Sequence, residues 1–344
     1  MLNKIRQNPK TDNHFNRRTF LQKSFAASTG AVLGFSFEEH NLVAEESIQS
    51  PIIPSSSSNK NMPMGRIGNM NISRLIVGGN LTSGFAHSRD LIYVSPLLKN
   101  YFTDEKVFET WERSEACGIN TAILRLDDQV IRLVNAYWNK RSGHLQWIAQ
   151  IKPKTMDFEH FQTDIKRAIE NGARGAYIQG NVADFLVKDN RIELLNEALQ
   201  CIKAQGVIAG IGGHSLLVPV ACEKAGLEPD FYMKTLHSRN YWTFNPGNEP
   251  WDKFHVSAGK AHDNVWCTEP EETITFMGKV NRPWIAFKVM AAGAIHPKDA
   301  FQYAFENGAD FVCAGMFDFQ VQEDTSIAME LLASKIERNR RWLG

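Results

Sequence analysis

The sequence predicts an α/β chain whose structured part is one closed (β/α)8 TIM barrel, with an N-terminal β-hairpin and a long loop insertion after strand 6. Three observations predict it. Eight short, near-continuously apolar runs alternate with longer helical patterns, as in repeated βα units covered on both faces. The helical stretches repeatedly stop at a Gly just before the next apolar run. No Gly-x-Gly-x-x-Gly turn, the mark of an open nucleotide-binding sheet, interrupts the eight units.

The elements start after a leader. Asn16-Arg17-Arg18-Thr19-Phe20-Leu21-Gln22-Lys23 matches a twin-arginine export signal, and the uncharged, small-residue-rich run from Ser24 to Phe37 suits a signal h-region. That run is too short for a permanent membrane span. Residues 1–44 are therefore expected to be the signal peptide, cleaved near Leu42-Val43-Ala44, and 45–63, with Ser55 to Ser58, a disordered linker. The barrel is expected over 64–344, in a periplasmic or secreted protein exported folded by the twin-arginine machinery. That route favours a ligand loaded before export.

Met64 to Ile72 reads as a hairpin plugging the bottom of the barrel. The strands read as Leu75–Gly78, Thr121–Leu124, Trp147–Ile151, Gly175–Ile178, Val207–Ile211, Phe231–Lys234, Trp284–Val289 and Phe311–Ala314. Helix starts are signalled by Asp104-Glu105, Asp157-Phe158-Glu159 and Pro270-Glu271-Glu272, acidic residues that complement the positive end of the helix dipole. Helix stops fall at Asn171-Gly172, Gln205-Gly206, Ala225-Gly226 and Asn307-Gly308. Residues 238–268 form an aromatic insertion with Tyr241, Trp242, Phe244, Trp251, Phe254 and Trp266, either a sugar-stacking surface or a lid packed by its own rings.

The 38 basic residues balance 38 acidic ones, so no global field recruits nucleic acid or anionic lipid. The five cysteines are widely spaced and include no Cys-x-x-Cys, which argues against a disulfide framework, a zinc knuckle or an iron–sulfur cluster.

Strand C-termini converge on one pocket in this fold, so the polar residues there are the functional candidates. Lys152, His214, Lys234, His237 and Lys288 are candidates for catalysis; Asn80, Arg125, Gln179, Tyr241, Trp242 and Asp318 for substrate binding. Several lysines on one mouth disfavour each other's protonation, which either depresses one into a base or binds an anionic or enolate-like group. His214, His237 and Glu269 are spaced to form a His-His-carboxylate site for a divalent metal, although a hydrogen-bonded pocket role suits each histidine too. His87, Arg89 and Asp90 are a further polar cluster in the loop after the first barrel strand.

Over about residues 64–330 the chain resembles the aldo-keto reductase superfamily. The resemblance is carried by Met64-Gly-Arg-Ile-Gly with Ile72-Ser73-Arg74-Leu75 and Gly78-Gly79, by Glu115-Ala116-Cys117-Gly118-Ile119-Asn120, by Ile151-Lys152, by Gly210-Ile211-Gly212-Gly213-His214, and by Ala314-Gly315-Met316 with Glu323-Asp324. It implies NADP(H) and a Tyr-Asp-Lys-His tetrad. Lys152 matches the family's lysine, but Ile123 stands at the aspartate position, no Tyr-Gly follows it, and Gln179 replaces the histidine. Gly212-Gly213 replaces the Ser-Asn pair that holds the nicotinamide amide, and Phe317-Asp318-Phe319 replaces the basic patch for the 2′-phosphate. The sequence thus leaves three readings: oxidoreduction of a sugar or keto-sugar carbonyl, a non-redox isomerase, epimerase, lyase or hydratase using a lysine or a His-bound metal, and a non-catalytic sugar-binding barrel.

Overall fold

The structure, a computed structural model, describes residues 62–88, 91–244 and 264–344. The export signal, nearly all of the linker, Arg89, Asp90, Trp251 and Phe254 lie outside the described residues.

Eight parallel strands close a barrel: β3 (Leu75–Gly78), β4 (Thr121–Arg125), β5 (Gln146–Ile151), β6 (Gly175–Ile178), β7 (Ile208–Gly213), β8 (Phe231–Thr235), β9 (Trp284–Phe287) and β10 (Phe311–Ala314), with β10 pairing back onto β3. The antiparallel hairpin β1 (Met64–Ile67) and β2 (Met70–Ser73) precedes it. Ile67, Met70 and Ile72 join Ile76, Ile123, Ile148, Ile208, Phe231 and Phe311 in the buried cluster that fills the barrel. The hairpin therefore plugs the end where the strands begin, and each fully buried side chain contributes roughly 1.5–3 kcal/mol of burial.

The helices form where the sequence signals them. Helix α2 (Asp104–Ala116) is capped by Thr103, α3 (Asp128–Lys140) by Asp127 and α4 (Phe158–Glu170) by Asp157, each side chain accepting from a first-turn N–H. Gly172 and Gly308 take φ of +90° and +99° just past helix ends, the left-handed geometry that a Cβ would strain. Two crossovers carry an extra helix that the eight-unit pattern did not announce: α1 (Val94–Tyr101) ahead of α2, and α5 (Gly180–Lys188) ahead of α6 (Ile192–Ala204). The remaining helices are α7 (Leu217–Lys224), α8 (Pro270–Met277), α9 (Pro297–Glu306) and α10 (Val321–Ala333).

One strand ends earlier than expected. β9 stops at Phe287 because Lys288 adopts φ +58°, and Ala291 and Ala292 follow at +46° and +59°. Such conformations cost non-glycine residues of order 1 kcal/mol each and concentrate where function imposes them. None of the helices among the described residues is long and apolar enough to cross a membrane.

Candidate active site

The C-terminal ends of β7, β8 and β9 carry His214, Lys234, His237 and Lys288, and the Trp266 ring meets His214 and Lys288 while its backbone N–H reaches His237. Lys288 Nζ lies 3.5 Å from the centre of that ring, a cation–π contact. The His87 and His214 rings stand 4.9 Å and 6.0 Å from it, and Trp266 Nε1 donates to the His87 carbonyl. His87 Nε2 in turn is 2.6 Å from the Asn80 amide nitrogen.

His214 is held by a residue that the sequence reading missed. Asp184, on α5 and buried, accepts from the backbone N–H groups of His214 and Ser215 and lies 2.9 Å from His214 Nδ1. A carboxylate at Nδ1 fixes the proton there, so Nε2 is left as the acceptor. Nε2 has no hydrogen-bond partner among the described residues. Gly180 makes room for the ring, since a Cβ there would sit 2.8 Å from His214 Cε1. Burial lowers the His214 pKa, the Asp184 contact opposes that, and the nearby Lys288 pushes it further down. The available signal for Asp184 was an acidic residue inside the apolar run Val182-Ala183-Asp184-Phe185-Leu186-Val187.

Lys234, only 2 % exposed, donates from Nζ to the Thr235 carbonyl (3.1 Å) and to Thr235 Oγ1 (2.8 Å), and that hydroxyl donates to the His214 carbonyl (3.1 Å). Burial holds its pKa below the ordinary lysine value against the opposing pull of Cys267, Asp184 and Glu269.

The His214, His237 and Glu269 metal set is not assembled. His237 Nε2 accepts from the backbone N–H groups of Trp266 and Cys267, both at 2.8 Å, while Nδ1 lies 2.8 Å from the Ser238 carbonyl. Both ring nitrogens are thereby engaged, and His237 acts as a staple that returns the insertion to β8. His214 spends Nδ1 on Asp184, and Glu269 stands at the N-cap position of α8 without a side-chain cap hydrogen bond. Among the described residues, no three His, Cys, Asp or Glu side chains stand at metal-binding spacing.

Other rim candidates separate from this cluster. Arg125 pairs with Asp127 at 3.0 Å and covers the Phe85 ring at 4.1 Å. Gln179 caps α5 by accepting from Asn181 N–H. Lys152 is exposed just past β5, with no hydrogen bond, ion pair or ring contact to the cluster among the described residues. Tyr241 packs on His237 with ring centres 5.9 Å apart, and Trp242 is 87 % exposed. Asp318 is not a substrate ligand in this arrangement: it binds Lys106 Nζ at 2.8 Å and the Tyr101 hydroxyl. Burial works to raise its pKa, and the bonds from Lys106 and Tyr101 outweigh that and lower it.

The residues present do not fit the nicotinamide nucleotide that the family resemblance implies. A Cβ on Gly212 would lie 2.8 Å from the Gly180 nitrogen, and one on Gly213 would lie 2.9 Å from Val218 Cβ, so no amide-gripping side chain can stand at either position. The segment after β10 is closed as well, with the Phe317 ring stacked between Phe102 and Phe319 at 5.3 Å and 5.2 Å.

The (β/α)8 barrel is similar in fold to solved structures of aldo-keto reductases. A protein from Pseudomonas aeruginosa described as an aldo-keto reductase superposes with a TM-score of 0.57 at 13% identity, over 81% of this chain and 99% of that one. The holo form of the aldo-keto reductase AKR11C1 from Bacillus halodurans gives 0.51 at 12% identity, over 78% and 91%. The glycerol dehydrogenase AKR11B4 from Gluconobacter oxydans gives 0.51 at 9% identity, over 82% and 98%. At these identities the likeness shows the fold alone. No protein-family model and no curated protein sequence matches the chain.

Proposed function

We propose that the protein is an exported enzyme that moves a proton beside the carbonyl of a small polyhydroxylated substrate, a sugar or keto-sugar, with no net redox change. The observation that carries this reading is the buried His214–Asp184 pair, whose Nε2 is left without a partner at the barrel mouth. Asp184 positions the ring and stabilises the imidazolium that forms when Nε2 takes a proton. Its lowered pKa keeps His214 neutral, and so able to accept, at pH 7. Loss of an α-proton builds negative charge on the carbonyl oxygen, and the Lys288 ammonium over Trp266 is the cation suited to hold it. The exposed Trp242 indole and the neighbouring Tyr241 offer aromatic faces to the apolar side of a sugar ring. Oxidoreduction, the alternative, draws support from the fold likeness but not from the residues at the nicotinamide positions.

Solvent-exchange NMR tests the reading: ketoses and aldoses are incubated with the protein in D2O and loss of the α-proton signal is followed. The expected result is exchange that slows about 10²- to 10⁴-fold in His214→Asn. Ligand-induced thermal stabilisation with no exchange on any sugar would leave a binding barrel instead. The address rests on Arg17-Arg18; replacing both with Lys is expected to leave the protein in the cytoplasmic fraction, and continued export would remove the twin-arginine assignment.

A further inference from the structure

We propose that Lys234 is a nucleophile that forms a transient imine with the substrate carbonyl, a step that rests on the proton-transfer reading above and makes it covalent. Lys234 is the penultimate residue of β8, between Gly213 of β7 and Ala286 of β9 in register. Its side chain is buried, yet no carboxylate lies within ion-pair distance among the described residues. An unpaired buried ammonium costs several kcal/mol, so the stable form is the neutral amine.

The hydrogen bonds count out the same way. The Thr235 hydroxyl gives its proton to the His214 carbonyl, so toward Nζ its oxygen accepts. The Thr235 carbonyl accepts the other N–H. A third N–H would have no acceptor among the described residues, whereas a neutral amine has both its N–H bonds satisfied and its lone pair left over. By contrast, Lys106 donates to two carboxylates, those of Glu109 and Asp318. A desolvated amine of this kind is an activated nucleophile.

The chemistry balances with no oxidant or reductant. The Nζ lone pair adds to the carbonyl carbon while the carbonyl oxygen takes a proton and Nζ gives one up. The carbinolamine hydroxyl takes a further proton from solvent and leaves as water, giving an iminium ion. The iminium draws electrons from the α carbon, the α-proton passes to His214 Nε2, and an enamine remains. Return of a proton and hydrolysis by water regenerate the carbonyl and free Lys234. The substrate class is accordingly an open-chain ketone or aldehyde with at least one α-hydrogen, such as the keto form of a sugar.

Two probes read the amine directly on the wild-type chain at pH 7. Dihydroxyacetone with cyanoborohydride traps an imine as a secondary amine, and 2,4-pentanedione condenses with a neutral amine without a reductant. Peptide mass spectrometry is expected to place both labels on Lys234, to lose them in Lys234→Met, and to keep them in Lys152→Met. Labels confined to exposed lysines, with Lys234 unmodified by either probe, would overturn the proposal. Solvent exchange of the sugar α-proton separates it from the reading beneath it. Exchange is expected to fall about a hundredfold or more in a folded Lys234→Met. Undiminished exchange there removes the imine and leaves His214 acting alone, while labelling at Lys234 with no exchange in the wild type removes the proton-transfer reading and leaves the nucleophile.

Discussion

At the N-terminal end of the barrel, the fully buried Asp310 pairs with Arg338 and Arg340 and accepts from the Trp284 and Leu343 N–H groups, both at 2.9 Å. Arg74 donates to the Asp310 and Gly344 carbonyls and lies over Trp342 at 4.2 Å. At the opposite end, Lys234 is also buried with no carboxylate beside it among the described residues, burial lowers the pKa values of His214 and His237, and Lys288 sits in a left-handed conformation. The bottom end surrounds its buried charges with an opposite charge, carbonyl acceptors and an aromatic face. At the top end burial instead pushes the pKa values of Lys234, His214 and His237 down, toward forms that keep a lone pair for chemistry. Compensation of the first kind stabilises a fold; the second kind costs stability and persists where a site needs reactive groups.

The contrast can be broken at the bottom with Asp310→Asn, which strands two buried guanidinium groups. Unfolding stability is expected to drop by about 3–5 kcal/mol in denaturant titrations, and a loss under about 1 kcal/mol would mean the cluster is not mutually compensating. Acid sharpens the top. Burial lowers the His237 pKa from 6.5 to about 4, with the Ser238 carbonyl opposing it. The unfolded chain therefore binds more protons than the folded one between those values. Stability is expected to fall as pH drops through that window, by roughly 3 kcal/mol from this residue, and to level off below it. Chemical denaturation at stepped pH checks this, and the slope should shrink in His237→Gln. The smallest effect concerns backbone strain. Lys288→Gly and Lys288→Ala both delete the ammonium, but only alanine keeps the left-handed penalty, so the glycine variant is expected to be more stable by about 1 kcal/mol. Equal melting temperatures for the two would show that Lys288 is relaxed.

Much of the fold was legible because its signals are local. Asp157 ahead of Phe158, Pro270 at a helix start and Gly172 or Gly308 at a helix stop each act within one turn, and the eight strands fell within two residues of their apolar runs. Candidate site residues were legible only as positions. His214, Lys234, His237 and Lys288 were read from strand ends, and they do gather; Asp318, read the same way, turns to Lys106 and Tyr101. Asp184 was missed because its partner His214 is 30 residues distant and meets it only when α5 packs against β7.

The sequence by itself determined the (β/α)8 plan, the hairpin plug and the set of polar side chains at the strand ends, since hydrophobic period, caps and turns depend on neighbours in the chain. Only the tertiary structure decided what those side chains are. Whether His237 is a ligand or a staple, and whether Lys234 is an ammonium or an amine, depends on which groups long-range packing brings within hydrogen-bond distance and which water it excludes.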